Sequence, residues 1–182
     1  MLDLKTGRFV INAEKGWELH PFMTREEFMA SDFFKSEHLI RDNFDINSPI
    51  FFFKGVKIDG YEMFMRVFLR GNFRKKNKYV KKIQLVSKEA IEFYDRSYDE
   101  TWEQAAYEVK RLHDKFLMHE TGLDEGHMDG GKENDFMVEW GSFSSSICLM
   151  HQPEIVISID YDNLTEEDRK ELDKIGDDML WS

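Results

Sequence analysis

Between its strand-like segments the chain offers one stretch of convincing length for a crossover helix, Thr101 to Glu120. Parallel strands need such a crossover between each successive pair, whereas antiparallel strands can be joined by tight turns. The scarcity of long helices argues against a doubly wound parallel sheet and for meandering strands with helices packed on them. The expected fold class is α+β: a mainly antiparallel sheet with one long helix and shorter N- and C-terminal helices packed against it. No Pro-, Gly- or Ser-rich linker and no internal repeat divides residues 1–182, so one domain is expected.

The strand signals are specific. Gly7 leads into Arg8-Phe9-Val10-Ile11, a short strand stopping near Asn12. Ile50-Phe51-Phe52-Phe53, bounded by Pro49 and Gly55, is apolar throughout and predicts burial on both faces. Asp59-Gly60 marks a turn before Tyr61–Leu69, where Met63, Met65, Val67 and Leu69 share one face. Tyr79–Val86, with Ile83 and Leu85 on one side, completes an expected hairpin across a basic connection at 71–79. Phe136–Trp140 and a stretch within Ser142–Met150 are further candidates. The cleanest alternation is Ile155, Ile157, Ile159 and Tyr161 against Val156, Ser158 and Asp160.

For helices, Thr24 and Glu27 have capping-box spacing and predict a short helix to about Ser31. In the long helix, Trp102, Ala105, Val109, Leu112 and Phe116 form one apolar stripe, and Gly122 stands where a left-handed residue ends a helix. Thr165-Glu166-Glu167-Asp168 opens a terminal helix with Leu172, Ile175 and Met179 facing inward. Residues 32–48 show no clean period.

A formal net charge of −11 works against non-specific attraction to nucleic acid or anionic lipid. Cys148 is the single cysteine, so no intrachain disulfide forms, which fits a reducing compartment. The start lacks the pattern of a secretory signal, and the longest apolar run is too short to cross a bilayer. The expectation is a cytoplasmic protein without membrane contact.

Two charge features stand out. Arg66 to Lys82 holds eight basic residues and no acidic one, interleaved with Phe68, Phe73 and Tyr79. Within it Arg70, Arg74, Lys75, Lys76 and Lys78 are candidate anion contacts, set against the plainer reading of a solvated hairpin tip. Asp99 to Asp135 carries eleven acidic and four basic residues, a balance of −7. Such a region attracts a basic protein partner.

The search for chemistry is largely negative. His119, Glu120, Asp124, Glu125, His127 and Asp129 match no metal-binding spacing, and His119, continuing the stripe after Phe116, reads as a partly buried structural histidine. Cys148 and His151 fall on opposite faces of a strand, and Ser142, Ser144, Ser145 and Ser146 lack a nucleophile elbow. Asp129-Gly130-Gly131-Lys132 lacks the phosphate-loop pattern. No cofactor or metal is expected, and no catalytic residue is assigned.

Gly7-Arg8-Phe9 with Trp17, the Met63–Leu69 strand followed by a basic strand, the long helix, and Phe136-x-x-x-Trp140-Gly141 before the closing Ile155–Tyr161 strand together resemble small bacterial α+β proteins, among them immunity proteins of polymorphic toxin systems. The resemblance implies a protein that binds and inhibits a toxin. The leading expectation is thus a non-enzymatic protein-binding domain, inhibitor or immunity-like, with contacts at Glu120, Asp124, Glu125 and Asp129 and Trp140 as an aromatic anchor. The alternatives are a hydrolase-like enzyme whose acidic loop and His119 or His127 converge in a pocket, and nucleic-acid binding through the basic hairpin.

Overall fold

The structure is a computed structural model and describes residues 8–21, 23–42, 45–72, 75–94, 100–122, 127–129, 135–140, 143–148 and 154–161. Strands β1 (Phe9–Asn12) and β2 (Trp17–Leu19) form an antiparallel hairpin and are followed by the short helices α1 (Arg25–Ala30) and α2 (Asp32–Lys35). Next come β3 (Ile50–Ile58), β4 (Tyr61–Asn72), β5 (Lys75–Ser87), α3 (Lys88–Tyr94) and α4 (Trp102–Thr121). The remaining elements are β6 (His127–Asp129), β7 (Asp135–Trp140), β8 (Phe143–Cys148) and β9 (Glu154–Asp160). The fold is α+β with a mainly antiparallel sheet, as the shortage of crossovers predicts. Strands β3 to β9 form a sheet of order β3-β4-β5-β9-β8-β7-β6, in which every pairing is antiparallel.

Two meanders meet at the β5–β9 seam, where Ile83 pairs with Ile159 and Leu85 with Ile157. The β3–β4 turn is made by Asp59 and Gly60, both at positive φ (50° and 88°), the conformation of the tightest hairpins. The β4–β5 connection is shorter than the expected basic loop: β4 runs on to Asn72 and β5 starts at Lys75, the two residues paired with each other. The acidic segment before Asp135 is likewise not all loop, since His127–Asp129 pairs with β7. The expected C-terminal helix lies outside the described residues.

Strand β3 is buried on one face, not two. Phe51 and Phe53 are enclosed, while Phe52 between them is 41% exposed. At Gly55, φ 62°, β3 inserts one extra residue between the Phe53–Met65 and Val56–Met63 pairs. This bulge returns Val56 and Ile58 to the buried side after Phe53. The outer edge of β3 is covered: the Ile40 amide donates to Phe52 O at 2.9 Å and the Lys54 amide to His38 O at 2.8 Å.

The main core joins the N-terminal elements to the inner face of the sheet. Phe33 stacks on Phe53 with centroids 4.5 Å apart, and Phe28 meets Phe34, Phe51 and Phe53. Met63, Met65, Val67, Ile83, Leu85, Ile157 and Ile159 continue this core, and Phe116 and Leu117 of α4 close it. Helix α1 starts with the expected capping box: Thr24 Oγ1 accepts from the Glu27 amide at 3.1 Å, and Glu27 Oε2 accepts from the Thr24 amide at 2.8 Å. The Val80 amide donates to Met23 O at 2.9 Å, tying this helix start to β5.

Helix α4 ends at Gly122 in the left-handed conformation, as expected. Its buried face is Trp102, Ala106, Lys110, His113, Phe116, Leu117 and Glu120. The expected stripe holds at Trp102 and Phe116, which are buried, while Ala105 and Val109 are half-buried at its margin and Leu112 is 39% exposed. Of the polar residues at inward positions, Lys110 has its partner on α4 itself. Lys110 lies one turn from Asp114 and donates to both of its carboxylate oxygens. No helix among the described residues is long and apolar enough to cross a membrane.

Candidate functional site

Strands β3, β4, β5 and β9 place opposed residues in rows across the outer face of the sheet. One row runs Phe52, Arg66, Gln84, Ser158, and its neighbour runs Ile50, Phe68, Lys82, Asp160. Exposure falls along the first row, from the open Phe52 through half-buried Arg66 and Gln84 to the buried Ser158. The accessible portion therefore lies on β3 and β4. There the Phe52 and Phe64 rings sit 6.2 Å apart, and the Arg66 guanidinium lies 6.0 Å from the Phe64 centroid. Arg66 Nη1 donates to Gln84 Oε1 at 3.3 Å, fixing the guanidinium over the strands. Lys54 and Lys57 on β3 are exposed, and Lys82 stands 3.9 Å from Asp160.

The basic set reaches this surface only in part. Arg70 belongs to β4 and Lys75, Lys76 and Lys78 to β5, the side chains of all four being outside the description; Arg74 lies outside the described residues. Backbone register alone puts Arg70 opposite Tyr79 and Lys75 opposite Asn72.

The acidic set is dispersed differently from its sequence neighbourhood. Asp124 and Glu125 lie outside the described residues. Asp129 pairs with Met137 at the end of β6, and Trp140 closes β7 opposite Phe143. Glu120 is only 6% exposed, so its carboxyl is withdrawn from the surface on which a partner contact was expected.

Glu120 turns toward the β3–β4 turn. Asp59 from that turn, His119 and Glu120 bring one ligand atom each into a group whose members all lie within 4.8 Å of one another. His119 Nε2 is 2.6 Å from Asp59 Oδ2. The His119 and Asp59 side chains are exposed, so His119 is not the half-buried member of an apolar stripe that its position after Phe116 suggested. The hydrogen bond from His119 holds the Asp59 carboxyl below its ordinary range, with a second from Glu120 acting the same way. Burial pushes the Glu120 carboxyl up, and the neighbouring Asp59 carboxylate adds to this. The local sequence offers only the His119–Glu120 half of this group, among candidate ligands whose spacing matches no metal motif. Asp59 reads as a turn residue, and the long separation from His119 is closed only by the fold.

His113 is the histidine that α4 buries, at 1% exposure. Neither of its ring nitrogens has a hydrogen-bond partner among the described residues. Burial, with the Lys110 charge adding to it, lowers its pKa to about 4.

No family model, curated protein or solved structure matches this chain.

Proposed function

We propose that this protein is a non-enzymatic binding domain that docks a protein partner on the accessible part of its outer sheet face, over β3 and β4. The observation that carries the reading is the exposed Phe52 ring beside Phe64, with Arg66 laid against Phe64. An exposed aromatic ring next to an arginine, here seated on the half-buried Phe64, pairs the side-chain types that concentrate binding energy in protein interfaces. Among the described side chains of β3 and β4, Lys54, Lys57 and Arg66 outnumber Glu62, so the partner surface that complements them is acidic. An inhibitor or immunity-like role, in which the docked domain occludes the partner's own site, is the form of this function that the family resemblance implies.

The test is affinity capture from the native host with three baits: the wild-type protein, Phe52→Ser, and the double variant Lys54→Glu with Lys57→Glu. All three changed positions are exposed, so circular dichroism should show the same fold in each bait. An acidic protein retained by the wild type and lost from both variants supports the reading. Equal recovery by all baits, or recovery only of material that nuclease removes, sinks it.

A further inference from the structure

We infer that Asp59, His119 and Glu120 form a binding site for one divalent first-row transition-metal ion such as Zn²⁺ or Co²⁺. The donor set is an imidazole nitrogen and two carboxyl groups, a combination that suits these ions and leaves a coordination position for water. The donors come from two elements held rigidly together. Asp59 is fixed in a two-residue turn at φ 50°, and His119 and Glu120 occupy the last turn of α4. Tyr61 beside the turn packs edge-on against Phe116 of the same helix, with centroids 5.3 Å apart, which holds turn and helix end in register.

The His119–Asp59 separation of 2.6 Å is that of a direct hydrogen bond. Ligand atoms around a tetrahedral zinc stand roughly 3.3 Å apart, given metal–ligand bonds of about 2.0–2.2 Å. Opening the pair by that amount requires only side-chain rotation at two exposed residues. The imidazole nitrogen aimed at Asp59 is the one that would bind the metal. The end of α4 adds a further attraction, because the unpaired carbonyls of a helix C-terminus carry partial negative charge. Ion binding here does not depend on the proposed docking face.

The experiment uses the full chain, stripped with chelator and titrated with Zn²⁺ and with Co²⁺. The expected result is one ion per chain by calorimetry, with cobalt giving visible ligand-field absorption. Asp59→Asn and His119→Ala should each raise the Kd at least about tenfold, since losing a direct ligand costs no less than losing an outer-shell partner. Both positions are exposed, so the variants should fold, and Glu120→Gln tests the buried ligand with little change of volume. The chain has six histidines, and binding that persists unchanged in Asp59→Asn and His119→Ala would place the ion elsewhere and overturn the inference. Absence of binding to the wild-type protein would overturn it equally, even if His119→Ala proved destabilising.

Discussion

Lys110 is sealed beneath α4 at 1% exposure and donates from its ammonium to both carboxylate oxygens of Asp114, at 2.9 and 3.1 Å. Burial pushes the ammonium pKa down while Asp114 draws it back up. Removing Asp114 takes both of these hydrogen bonds from a buried ammonium, whereas replacing the ammonium with an apolar group of similar volume removes the buried charge itself. Asp114→Ala should therefore cost roughly 3 kcal/mol, and Lys110→Met should stay within about 1 kcal/mol of wild type or gain stability. Urea denaturation of the two variants makes the comparison, and equal losses would show that the ion pair is itself a net source of stability.

His113 gives the protein an acid sensitivity with a defined window. Its pKa is about 4 in the folded protein against 6.5 when solvated, so between these values the unfolded chain binds the extra proton. Stability from this residue is full above about pH 6.5 and is lost as the pH falls toward 4, a change on the order of 3 kcal/mol. Unfolding free energies measured across this range should slope upward with pH, and His113→Met should flatten part of that slope. An unchanged slope in the variant would assign the acid sensitivity to other groups.

Phe52 and Phe53 are neighbours with opposite environments. Phe53 is fully enclosed against Phe33 and Phe28, and its replacement by alanine should cost about 3–5 kcal/mol. The same change at the half-open Phe52 should fall nearer about 0.5 kcal/mol. Thermal or chemical denaturation reads both. Similar losses would mean that the strand is buried on both faces after all.

At the start of α1, Thr24 and Glu27 satisfy each other's backbone amides, so Thr24→Ala should cost about 1 kcal/mol while Thr24→Ser retains most of it. The Thr24 backbone amide bond is the largest cause holding the Glu27 carboxyl below its ordinary range. This contribution is present above pH 4.5 and fades as the pH falls through the lowered value. A Glu27→Gln protein whose acid-limb stability is indistinguishable from wild type would show that the Glu27 carboxylate contributes nothing through this cap.

The strands were legible because alternation survives wherever one face meets a core. Met63, Met65 and Val67 announce the inner face of β4, and the Asp59-Gly60 pair announces the turn before it. Residues 32–48 were opaque because α2 has only four residues and the segment after it covers the β3 edge by backbone contacts, which leave no periodic trace. The inward face of α4 was legible at Trp102 and Phe116 but not between them, for a different reason. Hydrophobicity assigns Leu112 to the interior and Lys110 and His113 to solvent, but packing against the sheet selected the reverse. The Asp59–His119–Glu120 group was only half legible, because Asp59 joins the adjacent His119 and Glu120 only after the hairpin and helix have docked.

The seam between β5 and β9 sets an order of events during folding. Strands β3, β4 and β5 pair with immediate neighbours and can assemble as a local meander. The next partner of β5 is not made until the chain has passed through α3, α4, β6, β7 and β8. Closing that loop is an entropic cost paid late, the kind of long-range pairing that slows folding. In the interval, Ile83 and Leu85 sit on a strand edge with unpaired backbone groups, open to another copy of the chain. Yield on refolding should consequently depend on protein concentration more than the stability of the finished sheet would suggest.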